Sequence, residues 1–196
     1  MPERLPPLAV EDLPREVRPL ADEMSKFSGA GLGGAYNALL RSPEMGRRCF
    51  ELVDYLRFGT SLEPRLKEFA ILIQARIANA QYEWWLHEPI GRRDGLSESV
   101  IFELKACQRP TGMQEDERMV YEYCIQLGLN QRVPQELRGE LVTKFGEEAV
   151  LDLTALSGAS VMMAMLVNAT QPAIPNEDAE PLHVLNAVDI RARLLG

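Results

Sequence analysis

Apolar residues recur at intervals of three and four along most of the chain, and no stretch alternates apolar with polar as a half-buried strand would. The clearest run is Leu66, Phe69, Ala70, Ile73 and Ile77, which places one apolar face on a helix begun by Ser61 and Pro64 and broken at Asn79. The punctuation residues divide the rest. A first helix follows Asp12, with Pro14 in its first turn, and fades at Ser28 and Gly29. Ser42, Pro43 and Glu44 form an N-cap, a first-turn proline and a first-turn acid for a helix to residue 58, ended by Gly59. Further helices are predicted over 80–93, stopping at Gly95, and from Ser97 to before Pro110. Others cover 114–127, 134–146 and 147–169, and a short one closes the tail. Residues 29–34 are glycine-rich, follow no strand and lack a P-loop lysine, so they read as a flexible connector.

The expectation is an all-α fold, a single domain over residues 1–196 built as a bundle of about eight helices, with a Pro-rich extended arm over 1–13. No repeat of fixed period is present. Residues 153–176 carry no charge for 24 positions. A spanning helix needs about 20 mostly apolar residues, but Ser157, Gly158, Ser160, Asn168, Gln171 and two prolines interrupt this run. It reads as a buried helix or a subunit interface, with membrane insertion the minor alternative.

Charge narrows the partners. Lys plus Arg number 21 and Asp plus Glu 29, a net charge of −8. Such a chain is ill suited to nucleic acid or anionic membrane, where basic side chains supply the affinity. Three cysteines, Cys49, Cys107 and Cys124, are too few and too scattered for a disulfide framework, a CxxC motif or a zinc ribbon. The N-terminus has no apolar signal core, and a reducing cytoplasm is the expected location.

Candidate chemistry concentrates between residues 68 and 88. Glu83 and His87 are i and i+4, on one face of a helix. A carboxylate beside an imidazole fixes its tautomer and suits it to acid–base work near neutral pH, although the same spacing also serves a plain surface ion pair. If the chain reverses at Asn79, Glu68 and His87 lie roughly 16 and 12 Å from the bend at about 1.5 Å per residue, nearly level across a helical hairpin. Glu68 stands among Leu66, Phe69, Ala70 and Ile71, which would desolvate it. Tyr82, Trp84 and Trp85 are candidates to line an apolar pocket, with helix core as the competing role. His183 is isolated in the tail, and two histidines 96 positions apart make no metal spacing, so no metal is expected.

The segment resembles the carboxymuconolactone decarboxylase and alkyl hydroperoxidase D-like family. The redox branch of that family carries a Glu, eleven residues, a Cys, two residues, a Cys, three residues and a His. Glu68 and His87 occupy the outer positions, but Ala80 and Glu83 stand where the cysteines would be. The text from His87 through Pro89, Gly91, Arg92 and Arg93 to Gly95, Leu96 and Ser97 is also similar, as are residues 37–44 and Tyr55-Leu56-Arg57. Residues 34–128 are the most family-like part.

The resemblance implies an alkyl hydroperoxidase D-like helical fold with its site on a helical hairpin, and a homo-oligomer, a trimer or a hexamer. It points to a small-molecule substrate and, by the decarboxylase branch, to a cofactor-free lyase or isomerase acting on a carboxylated lactone or related ring compound. In that reading His87 donates a proton to carbon, Glu68 or Glu83 orients and charges it, and Arg76 is a candidate to hold a substrate carboxylate. The alternatives are a thiol peroxidase of the peroxiredoxin kind, opposed by the missing cysteine pair, and an oligomeric binding protein without catalysis.

Overall fold

The computed structural model describes residues 4–27, 31–176 and 180–196. Among them no strand occurs, and ten α-helices follow one another. They are α1 (Arg18–Phe27), α2 (Gly34–Leu39), α3 (Pro43–Asp54), α4 (Pro64–Ile77) and α5 (Gln81–Arg93), then α6 (Glu98–Lys105), α7 (Glu115–Ile125), α8 (Gln135–Phe145), α9 (Glu147–Thr170) and α10 (Ala187–Leu195). Two π-helical turns, Tyr55–Gly59 and Gln126–Asn130, prolong α3 and α7.

The helix α4 is the axis of the molecule. It packs against α5, α7 and α9 at once, so every side chain from Leu66 to Arg76 is buried. Phe69, Leu72 and Ile73 are wholly enclosed. Burying a side chain of that size stabilises the fold by about 1.5–3 kcal/mol. The long α9 lies across α2, α4, α5 and α8. By length and composition it could cross a membrane, but half of its most apolar window is buried inside the protein.

Three helices end in the same backbone device. At Asn79 (φ 49°) the chain enters the left-handed region, the Ala80 amide donates to Ala75 O at 2.8 Å, and the Asn79 amide donates to Arg76 O at 3.2 Å. Those two bonds satisfy carbonyls that the end of α4 would otherwise orphan. Gly95 ends α5 and Cys107 ends α6 with the same bond pattern. Asparagine tolerates this conformation better than most residues, which is why the break falls at Asn79. At the start of α6 the Ser97 hydroxyl accepts from the Val100 amide, whereas Ser42 stands at the N-cap of α3 without such a bond.

The structure departs from the sequence reading in the N-terminal third. The first helix begins at Arg18, after a 3-10 turn at Val10–Asp12 and a second turn in which the Val17 amide donates to Pro14 O. Residues 5–13 lie on the body: Asn37 Nδ2 donates to the carbonyls of Leu5 and Pro6, and Leu13 is buried. The end of the connector is not a flexible link, because Gly34 opens α2. Its φ of +59° and the Tyr82 ring, whose edge would lie 2.2 Å from any Cβ there, leave room only for glycine. The fading of the first helix at Ser28 and Gly29, the remainder of the connector through Ala30, and residues 1–3 of the arm fall outside the described residues.

The tail crosses the α4–α5 turn. Asn79 Nδ2 donates to Leu185 O, the Leu185 amide donates back to Asn79 Oδ1, Arg76 donates to His183 O, and the Leu182 amide donates to Gln81 Oε1.

Candidate functional site

The α4–α5 hairpin brings Glu68 and His87 together. His87 Nδ1 and Glu68 Oε2 are 2.6 Å apart, and both side chains are nearly enclosed. Gly91, one turn beyond His87, makes the approach possible. A Cβ there would lie 2.9 Å from Leu96 Cδ1, 3.3 Å from Leu72 Cδ1 and 3.7 Å from Glu68 Cβ.

The carboxylate is the natural acceptor for Nδ1–H, which leaves Nε2 as the working nitrogen. Glu83 approaches from that side, with Oε2 3.8 Å from Nε2. The two carboxyls therefore flank opposite edges of one ring. Arg57, from the π-helical turn after α3, reaches Glu68 Oε1 at 3.5 Å and lies beside Tyr36 from α2.

The two glutamates sit in opposed electrostatic settings. Burial alone would push the Glu68 carboxyl up, but the facing imidazole and the Arg57 guanidinium outweigh it and hold it below its ordinary value. Burial pushes the Glu83 carboxyl up, and attraction to His87 and Arg57 offsets this only in part. Burial also raises the Tyr36 phenol, against the pull of Arg57. Carboxyls driven apart in this way mark one as the ionised partner and the other as a group inclined to hold its proton.

Beside this cluster lies a cavity with about 670 Å³ of empty space, mouth included. His87, Glu83, Arg57, Tyr36 and Tyr82 line it on one side, and Ile71, Leu86, Ile90, Leu156 and Met163 give it apolar walls. An apolar pocket with a few convergent polar groups is the usual form of a small-molecule site.

Two candidate binding residues stand elsewhere. Arg76 is wholly buried at the far end of α4, about 12 Å along the axis from Glu68, and spends its guanidinium on Asn79 Oδ1 and His183 O. It holds the turn and the tail and does not line the cavity. Trp84 faces the main core, and its indole N–H donates to Glu88 Oε2 at 2.6 Å. Tyr82 does line the cavity, with Trp85 edge-on to it at 5.4 Å.

Arg57 and Tyr36 were missed in the sequence. Arg57 stood in a family-like stretch without a role, and nothing local to Tyr36 signals that α2 turns it toward α5. No group of three or more His, Cys, Asp or Glu side chains among the described residues is disposed to hold a metal ion. Glu68 and Glu83 on opposite ring edges do not converge on one point. No family model matches the chain, and no curated protein matches it in sequence.

Proposed function

We propose that this protein is a cofactor-free acid–base enzyme, a lyase or isomerase acting on a small carboxylated lactone or related ring compound. The observation that carries the reading is the Glu68–His87 pair, whose Nε2 edge meets Glu83 beside an apolar cavity. The chemistry follows from that arrangement. When the carbon–carboxylate bond of such a lactone breaks, carbon dioxide leaves and the electron pair passes toward the lactone carbonyl. A proton must then reach carbon. Glu68 orients the imidazole, His87 Nε2 delivers the proton, and Glu83 holds a second proton within reach. Apolar walls exclude water and strengthen each charge interaction.

The resemblance to carboxymuconolactone decarboxylases supports the same reading, as does the alanine at position 80, where peroxide reduction by the family's redox branch would need a thiol. The proposal includes a homo-oligomer, a trimer or hexamer, in the cytoplasm. Leu52, Tyr55 and Phe58 on α3 and its π-helical turn, and Leu151 and Met165 on α9, are large apolar side chains left exposed, as subunit contacts would be. Light scattering should return a multiple of 22.0 kDa.

The test is carbon dioxide release and deuterium uptake from heavy water, with carboxymuconolactone and other carboxylated five- and six-membered lactones as substrates. Turnover by wild type, reduced about 10²–10⁴-fold in His87→Gln, is the expected result. Turnover unchanged by His87→Gln, or none with any of these compounds, overturns the reading.

A further inference from the structure

Arg57 lines the cavity with donor capacity that the acid–base cluster does not use up. Its guanidinium touches Glu68 at 3.5 Å, a long ion pair, and lies near enough to the Tyr36 phenol to pull on its proton. Its Nε–H is shielded from solvent and meets no acceptor among the described residues. A buried guanidinium N–H without a partner costs the fold stability, and a ligand oxygen would recover it. Tyr36 carries a hydroxyl proton that it can donate as well. Both side chains line the cavity together with the apolar Ile71, Leu86 and Ile90. Arg57 is thus the permanently charged donor in a lining whose other polar members are Tyr36, Tyr82, Ser160, His87 and Glu83.

We propose that Arg57 and Tyr36 form the anion anchor of the cavity, and that its ligands are small ring compounds bearing a carboxylate that remains on the molecule throughout the reaction. The proposal rests on the reading of the cavity as an acid–base site and names its ligand class. The anchored carboxylate is not the one that leaves. A guanidinium stabilises the charged carboxylate more than the neutral carbon dioxide it would become, and so would oppose its loss. Arg57 instead sets the distance between the retained group and the carbon facing His87 Nε2. A neutral ring of the same shape fits the same walls but leaves the Nε–H unpartnered.

Binding tests this without turnover. Benzoate and its neutral analogue benzamide serve as probes, with the imidazole resonances as the readout, since His87 and His183 are the only histidines. Benzoate should shift the His87 signals, leave those of His183 in place, and bind about 10–100-fold more tightly than benzamide, as a charge-assisted pair implies. Arg57→Gln should erase that preference while benzamide affinity stays the same. Arg57→Lys, which keeps the charge but loses the fork, should retain only part of it.

Equal binding of the two probes by wild type, or no benzoate effect at His87, overturns the anchor, and neither comparison needs a variant that folds. Benzoate preference unchanged in Arg57→Gln overturns it as well. The acid–base reading fails separately, by unchanged turnover in His87→Gln, an outcome that leaves the probe affinities where they are.

Discussion

His87 Nδ1 and Glu68 Oε2 lie 2.6 Å apart although nineteen residues separate them, because the left-handed break at Asn79 folds α5 back along α4. The bond gives the ring one orientation and one tautomer, and it gives Glu68 its charge. Glu68→Gln removes the charge while keeping the shape. It should lower turnover by about 10–100-fold and stability by about 1–3 kcal/mol, read from steady-state kinetics and denaturant unfolding. The pH dependence has a definite sign. The folded Glu68 carboxyl lies below its usual 4.5, so its contribution is complete above that value and fades as pH falls through the folded value. The stability gap between wild type and variant should close in acid, and a gap that stays constant would contradict the assignment.

Glu83 should behave in the opposite way. Its carboxyl is raised above 4.5 by burial, so the folded state favours the protonated form and loses stability as pH rises through the folded value. Glu83→Gln cannot ionise. Thermal unfolding of the variant should therefore gain on wild type as pH rises, and a gain on acidification instead would show the carboxyl to be ionised throughout.

Gly91 is a spacing residue. Any side chain there meets Leu96, Leu72 and the Cβ of Glu68. Gly91→Val should cost about 1–3 kcal/mol by overpacking and should loosen the His87–Glu68 bond. The second effect is visible as faster solvent exchange of the Nδ1 proton, and exchange at the wild-type rate would refute it.

Thiol chemistry should be absent. Cys124 is fully buried with its thiol pushed up to about 12, and burial also raises Cys107, which is enclosed at the end of α6. Reactive cysteines need a lowered value and access. Hydroperoxide consumption with a dithiol donor should stay at background, and Cys→Ser changes at 49, 107 and 124 should alter nothing. Robust turnover lost in the triple variant would reverse this.

The helices were legible where local signals were strong. Pro43, Pro64 and Ser97 mark the starts of α3, α4 and α6, and Asn79 and Gly95 mark ends, because caps and left-handed residues act over a single turn. The pairing of Glu68 with His87 was legible for the same reason, since one break and a constant rise per residue fix the level of both. The α2 helix was not, because only six residues long it gains its stability from burying Ala35, Tyr36 and Leu39 against distant partners. Arg76 and Arg57 illustrate the same limit. Both are arginines on helices, and only the packing of the tail and of α2 shows that the first is a structural clamp and the second a wall of the cavity.

The strap of residues 182–185 over the α4–α5 turn has a consequence for the order of events in synthesis. The turn that sets the register of Glu68 and His87 is made early, but the carbonyls and amide that hold Arg76 and Asn79 arrive more than a hundred residues later. Closing so long a loop is entropically slow, so these bonds form late. Until translation has passed Leu185, Arg76 has Asn79 Oδ1 but not His183 O to receive its guanidinium protons, and a product cut short before that point never gains the second acceptor. The hairpin is thereby braced by the far end of its own chain, and a premature stop removes that brace without touching any residue of the site.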